Sequence, residues 1–260
     1  MSDPSDDAQA SAVIWTIGGV DPLGVAGVIA DSRAANAIDV HCATIVTCVT
    51  AQNSLSFNQL HATDVQLLDA QWCALLEQLV PSVIKIGLIA NAEQAQWLGD
   101  KLASYRSSTN EQLIVIYDPV LASSSASELV NQQTLEAIKQ FLLPQVDLLT
   151  PNIDEAQALT GLTLDQPSDL VALARSLMIE FELSVLVKGG HLAGVTAAYD
   201  CYIAKLHQVA PREPATSFVM VSPLLNNRNL RGTGCSLASS IAAWCAKGLT
   251  VCDALILAKA

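Results

Sequence analysis

Positive charge is scarce in this 260-residue chain: 13 Lys and Arg stand against 25 Asp and Glu, a formal net charge of −12. Such a surface repels a phosphate backbone, so nucleic acid is excluded as a partner, and an anionic ligand must be held by a local site against the global field. Charged residues make up only 15% and hydrophobic ones 51%, which excludes a disordered chain and leaves enough apolar side chain for a sizeable core. No lipid-facing span is present. The longest charge-free stretch, Val40 to Thr63, carries His41, Gln52, Asn53, Asn58, Gln59 and His61. The opening residues lack the basic and apolar regions of a signal peptide, so residues 1–11 are read as a disordered tail and the chain as cytoplasmic.

Several motifs are missing too. The seven cysteines show no CxxC and no Cys/His zinc spacing. Cys42, Cys48, Cys73, Cys201, Cys245 and Cys252 are therefore expected to be reduced, buried, small hydrophobes. There is no GxxxxGK[ST] run, which excludes a P-loop NTPase, and Gly18–Gly24 is not GxGxxG, which leaves a dinucleotide site unsupported. No Pro/Gly/Ser-rich linker divides the chain.

What is present is an alternation of short apolar runs and helical patterns. Strands are predicted at Val13–Ile17, His41–Thr50, Val83–Ile86, Leu113–Tyr117, Asp147–Leu149, Val185–Val187, Ala197–Ala204 and Ser217–Val221. Helices are predicted at Ala26–Ala37, from a Thr63 cap through Leu79, and at Ala92–Tyr105, Leu129–Leu142, Asp154–Leu159, Ser168–Phe181, Ser236–Ala246 and Cys252–Ala260. This order implies βαβ units, hence an α/β fold with a mostly parallel sheet covered by helices on both faces. Ligands of such sheets bind beyond the carboxyl ends of the strands. The informative residues are then Gly18–Asp21, Gly87, Asp118, Asn152–Glu155 and Lys188.

Arg231-Gly232-Thr233-Gly234-Cys235-Ser236 precedes a long apolar helix pattern. Two readings of it stand: a plain glycine turn capped by Thr233, or an anion hole made by free N–H groups at the positive end of a helix. In the second, Cys235 has a lowered pKa and acts as a base near neutral pH. Asp118, Asn152 and Glu155 are either turn and cap residues or a converging set of oxygens suited to Mg²⁺. Lys188, followed by two glycines, is either a solvated charge or a phosphate ligand. Taken together, these residues suggest phosphoryl transfer.

In order along the chain stand Gly19-x-Asp21, Gly24-x-Ala26-Gly27, Thr50-Ala51-Gln52-Asn53, Lys85-Ile86-Gly87, Asp118-Pro119-Val120, Thr150-Pro151-Asn152-x-x-Glu155-Ala156, Val187-Lys188-Gly189-Gly190-His191 and Gly232-Thr233-Gly234-Cys235. This set resembles the hydroxymethylpyrimidine/phosphomethylpyrimidine kinases, the thiamine-synthesis branch of the ribokinase superfamily, over about residues 12–260. The resemblance implies a single ribokinase-like domain there. It also implies phosphorylation of 4-amino-5-hydroxymethyl-2-methylpyrimidine, and then of its monophosphate, with ATP and Mg²⁺. By position, Gln52 would meet the pyrimidine edge, with Gly19, Asp21 and Gly87 on the substrate side. Asp118, Asn152 and Lys188 would serve the nucleotide, and Asp118 and Glu155 the metal. Gly232, Thr233 and Gly234 would stabilise the transferring group, and Cys235 would be the base on the substrate hydroxyl. A homodimer and a downstream thiamine-phosphate synthase domain are further expectations from the resemblance.

The chain departs from the family pattern where Val20, Leu23 and Val25 replace polar or flexible positions of the first loop, and at Leu88, Leu230 and Arg231. These departures bear on substrate identity. They keep a pyridoxine or pyridoxal kinase, or a non-catalytic pyrimidine-binding domain, as alternatives.

Overall fold

The computed structural model describes residues 12–109, 112–122, 129–163, 169–190, 197–205, 217–223 and 231–260. The predicted tail, His191 and Leu230 lie outside the described residues. The elements run β1 (Val13–Val20), α1 (Gly27–Asn36), β2 (His41–Gln52), β3 (Phe57–Ala62), α2 (Val65–Leu76), β4 (Val83–Ile86), α3 (Ala92–Ser108), β5 (Ile114–Tyr117) and α4 (Gln132–Ala137). They continue as β6 (Leu148–Leu149), α5 (Ile153–Thr160), α6 (Leu170–Phe181), β7 (Ser184–Lys188), β8 (Ala197–Ile203), β9 (Ser217–Pro223), α7 (Thr233–Ala246) and α8 (Val251–Lys259).

All nine strands form one sheet in the order β3-β2-β1-β4-β5-β6-β7-β8-β9. The strands from β2 to β7 in that order are parallel; β3, β8 and β9 are antiparallel additions at the two edges. The chain winds outward from β1 in one direction and from β4 in the other, so the switch point lies between them, where a ligand crevice is expected.

Side chains alternate between two cores, as strand geometry requires. On one face Trp15, Ile17, Ile84, Ile86, Val115 and Tyr117 pack with Leu68, Trp72, Leu98, Leu102, Leu159 and Leu177 of α2, α3, α5 and α6. Trp72 anchors an aromatic knot there, edge-on to Trp15, Tyr105 and Trp97 at centroid distances of 5.2, 6.1 and 6.3 Å. On the other face Ile14, Val83, Ile116, Leu148 and Leu186 pack with Ala35, Ala238, Ile241, Ala242 and Leu255 of α1, α7 and α8. The small residues of α1 and α7 let these helices lie close to the sheet and to each other.

Differences from the predicted elements have local causes. The β3 strand, Phe-Asn-Gln-Leu-His-Ala, is half-exposed and polar, and it exists because β2 offers an antiparallel edge. The cap of α2 is Asp64, whose side chain accepts from Leu67 N at 2.8 Å, so Thr63 stands outside. The predicted helix to Leu142 gives way after Ala137 to a π turn (Ile138–Leu142) and a 3₁₀ turn (Leu143–Gln145) that carries Pro144. There the Phe141 carbonyl lies so near Gly99 of α3 that a Cβ would approach it to 2.2 Å. Cys73 is exposed and Cys42 and Cys252 are half-buried, so the expectation of buried thiols holds for Cys48, Cys201 and Cys245. None of the seven is in a disulfide.

Candidate active site

The carboxyl ends of β1, β4, β5, β6 and β7 and the start of α7 converge at one rim. The helix begins earlier than predicted. Gly232 is the residue before its first turn, and Thr233, Gly234 and Cys235 lie within that turn. Gly232 adopts φ +77°, and a Cβ on it would stand 1.7 Å from the Val25 carbonyl oxygen. Only glycine meets both conditions. Gly27, at φ +63° and with the Gly19 carbonyl 2.1 Å from any Cβ, closes the same junction from the start of α1. The first loop and the Gly-Thr-Gly turn are thereby in backbone contact, and the amino ends of α1 and α7 lie next to each other.

On the other side of that turn lies a charged pair. Lys188 Nζ donates to Asp118 Oδ1 at 2.6 Å, and Thr150 Oγ1 donates to the same oxygen at 3.2 Å. A Cβ on Gly234 would lie 3.0 Å from Lys188 Nζ, so the missing side chain is what admits the lysine beneath the helix start. Burial opposes the charge on Asp118, but Lys188 and then Lys85 hold its carboxyl below the usual range. Burial likewise opposes the charge on Lys188, and Asp118 and Glu155 raise its pKa above the ordinary value.

Asn152 and Glu155 form a reciprocal cap on α5: Glu155 N donates to Asn152 Oδ1 and Asn152 N donates to Glu155 Oε2, each at 2.8 Å. The cap reading therefore holds for both, and it also fixes Glu155 near the pair. Burial pushes the Glu155 carboxyl up to about 7, against the pull of Lys188 and with the repulsion of Asp118. Among the described residues no group of three or more His, Cys, Asp or Glu side chains is arranged to hold a metal ion. Asp118 and Glu155 are thus at most a two-carboxylate set, which is what Mg²⁺ takes when phosphates and waters complete its shell.

Cys235 corrects the expectation of a lowered pKa. The thiol is 9% exposed, and burial pushes it up to about 11. Lys85 and the Gly27 N–H pull it down, while Asp118 and Asp31 push it up. The helix terminus alone does not decide the thiolate; desolvation outweighs it.

Below Cys235 lies a buried polar network that the sequence reading did not single out. Lys85 Nζ donates to both oxygens of Asp31 at 2.8 and 2.9 Å, with both side chains at 0% exposure. Thr16 and Ser239 hydroxyls donate to the same carboxylate, Ser239 at 2.8 Å. Burial works against the Lys85 charge, and Asp31, followed by Cys235 and Asp118, more than offsets it, so the ammonium persists. A signal was available: a lysine inside the buried run Val-Ile-Lys-Ile needs an anionic partner. The partner itself, 54 residues earlier on α1, had no local sign.

The substrate-side residues divide. Asp21 is 2% exposed, and its carboxylate accepts from Leu23, Val25 and Ala26 N–H groups at 3.1, 3.3 and 3.1 Å. It shapes the first loop and leaves Leu23 and Val25 exposed outside it. Gly19 admits Cys48, whose Sγ would be 2.7 Å from a Cβ, and Gly87 admits Lys85 Nζ at 3.2 Å. Both are positions of close packing beside the site. Gln52, at the end of β2, is joined to the helix start by Arg231. That guanidinium donates to Gln52 Oε1 at 2.7 Å and to the Asn53 carbonyl.

A sheet of this order, with its charged pair and Gly-Thr-Gly helix start at one rim, belongs to the ribokinase-like class of α/β proteins. The crystal structure of a phosphomethylpyrimidine kinase from Clostridium difficile superposes with a TM-score of 0.79 at 26% identity, covering 96% of each chain. The pyridoxal kinase of Staphylococcus aureus, in complex with AMP-PCP and pyridoxal, shares the fold with a TM-score of 0.81 at 24% identity, over 96% of this chain and 86% of that one. The family model for phosphomethylpyrimidine kinase matches residues 21–260. A hydroxymethylpyrimidine/phosphomethylpyrimidine kinase of Staphylococcus aureus is 31% identical over 248 residues, 95% of this chain and 85% of that relative. The chain belongs to the phosphomethylpyrimidine kinase family.

Proposed function

We propose that this chain transfers the γ-phosphoryl group of ATP to 4-amino-5-hydroxymethyl-2-methylpyrimidine or to its monophosphate, a thiamine-forming step. The observation that carries the reading is the meeting of Lys188, Asp118 and Gly234 under the first turn of α7. Phosphoryl transfer asks a protein mainly for position and charge neutralisation, and this junction supplies both.

In this reading Lys188 and Asn152 hold the nucleotide phosphates. Asp118 and Glu155 offer hard oxygens to Mg²⁺, which supplies charge neutralisation when bound. The N–H groups of the Gly232–Gly234 turn face the transferring group. Gln52 reads the pyrimidine edge, and Asp21, Gly19 and Gly87 give the adjoining backbone its shape. Cys235 takes the hydroxyl proton, a role that requires the thiolate its burial makes scarce at neutral pH. The protein acts as a cytoplasmic homodimer.

ADP release from Mg-ATP tests the reading, with the pyrimidine alcohol, its monophosphate and pyridoxal compared as acceptors. Turnover of either pyrimidine at least tenfold above pyridoxal is expected. Preference for pyridoxal, or no turnover of either pyrimidine by folded protein, overturns it.

A further inference from the structure

Lys188 and Lys85 each have a carboxylate partner. Arg231 does not: its partners, the Gln52 amide oxygen and the Asn53 carbonyl, are neutral, and no carboxylate lies within ion-pair distance among the described residues. Its Nε–H is buried without a hydrogen-bond partner among the described residues. A guanidinium has five donors, of which these contacts use two, so each Nη keeps a second N–H with which to meet a phosphate. Arg231 immediately precedes Gly232 and contacts Gln52, the residue proposed above to read the acceptor's ring, so its charge stands on the side assigned to the acceptor.

We propose that Arg231 is a specificity-determining residue that recognises a phosphate already present on the acceptor, biasing the site toward the pyrimidine monophosphate over the free alcohol. The inference rests on the function proposed above and deepens it. Against a net charge of −12, a dianionic acceptor needs a local cation of this kind. The acceptor's chemistry agrees. A monophosphate, with a second pKa near 6, attacks through an oxygen that carries no proton at neutral pH. One P–O bond forms to the γ-phosphorus, the bond to ADP breaks, and no base is consumed. A buried, protonated Cys235 is no obstacle to that transfer.

The test is the ratio of kcat/KM for the monophosphate to that for the alcohol, in the wild type, Arg231→Met and Arg231→Lys. Removing the charge is expected to lower the ratio at least tenfold, with partial recovery in Arg231→Lys. A structural latch through Gln52 and Asn53 serves both acceptors and would leave the ratio unmoved. A ratio within twofold of wild type, or a defect confined to the KM for ATP, overturns the proposal. If the wild type turns over neither pyrimidine, the functional reading fails, and calorimetric titration with the monophosphate judges Arg231 separately. A Kd raised at least tenfold in Arg231→Met sustains the recognition role, and an unchanged Kd overturns it.

Discussion

Cys235 shows how opposing effects are weighed at one atom. The first turn of α7, the Gly27 N–H and the Lys85 ammonium all favour a thiolate, yet desolvation holds the thiol near 11. If Cys235 is the base for the alcohol acceptor, the ionised fraction sets the rate. Log kcat should then rise about one unit per pH unit from 7 to 9, and a flat profile with that acceptor would remove the assignment. Cys235→Ala should lower kcat on the alcohol by roughly 10²–10⁴, with a far smaller loss on the monophosphate. Gly232 is the second residue where one atom decides. Gly232→Ala meets both the positive φ and the Val25 carbonyl, and should destabilise by about 1–3 kcal/mol or more. Thermal unfolding and ADP release, read side by side, check that stability and turnover fall together.

At the scale of elements, the question is what holds α7 in place. Asp31 on α1 receives Thr16 from β1, Lys85 from β4 and Ser239 from α7, one turn beyond Cys235. The helix start is thus tied to the sheet and to α1 by one buried carboxylate. Lys85→Met leaves that carboxylate uncompensated and should cost about 3–5 kcal/mol, while Lys85→Met combined with Asp31→Leu should regain much of it. Urea unfolding of the two variants measures the difference. The double variant should still lose turnover, because the tie to Ser239 and the cation near Cys235 are gone. Full activity in a stable double variant would show the network to be packing alone.

Across the whole molecule, burial of thiols links stability to pH. Cys48 and Cys235 are raised to about 11 and Cys245 to about 12, from an ordinary value near 9. Above pH 9 the unfolded chain releases these protons and the folded protein keeps them. The unfolded state therefore binds fewer protons, and stability falls as pH rises from 9 to 11. Each thiol contributes about 1.4 kcal/mol per pH unit in that window. Urea midpoints at pH 8, 9 and 10 under reductant should drop progressively, and a constant midpoint would contradict the burial. No helix among the described residues is long and apolar enough to cross a membrane, in keeping with the polar residues seen between Val40 and Thr63.

The alternation of apolar strands and helices was legible along the chain because doubly covered strands are continuous apolar runs, and Val83–Ile86 needed no tertiary information. The rim residues Asp118 and Lys188 were legible too, since each directly follows or ends a strand. Other features were settled only by the tertiary structure. The polar strand β3 needed an edge to pair with, and the ionisation of Cys235 needed the surrounding burial that outweighs its helix end. Asp31 needed Lys85 brought to it from another element, and Arg231 needed Gln52. Local pattern dictates which segments become strands and helices. Charge and desolvation depend on what lies within a few ångströms, and that neighbourhood exists only once distant segments have been folded together.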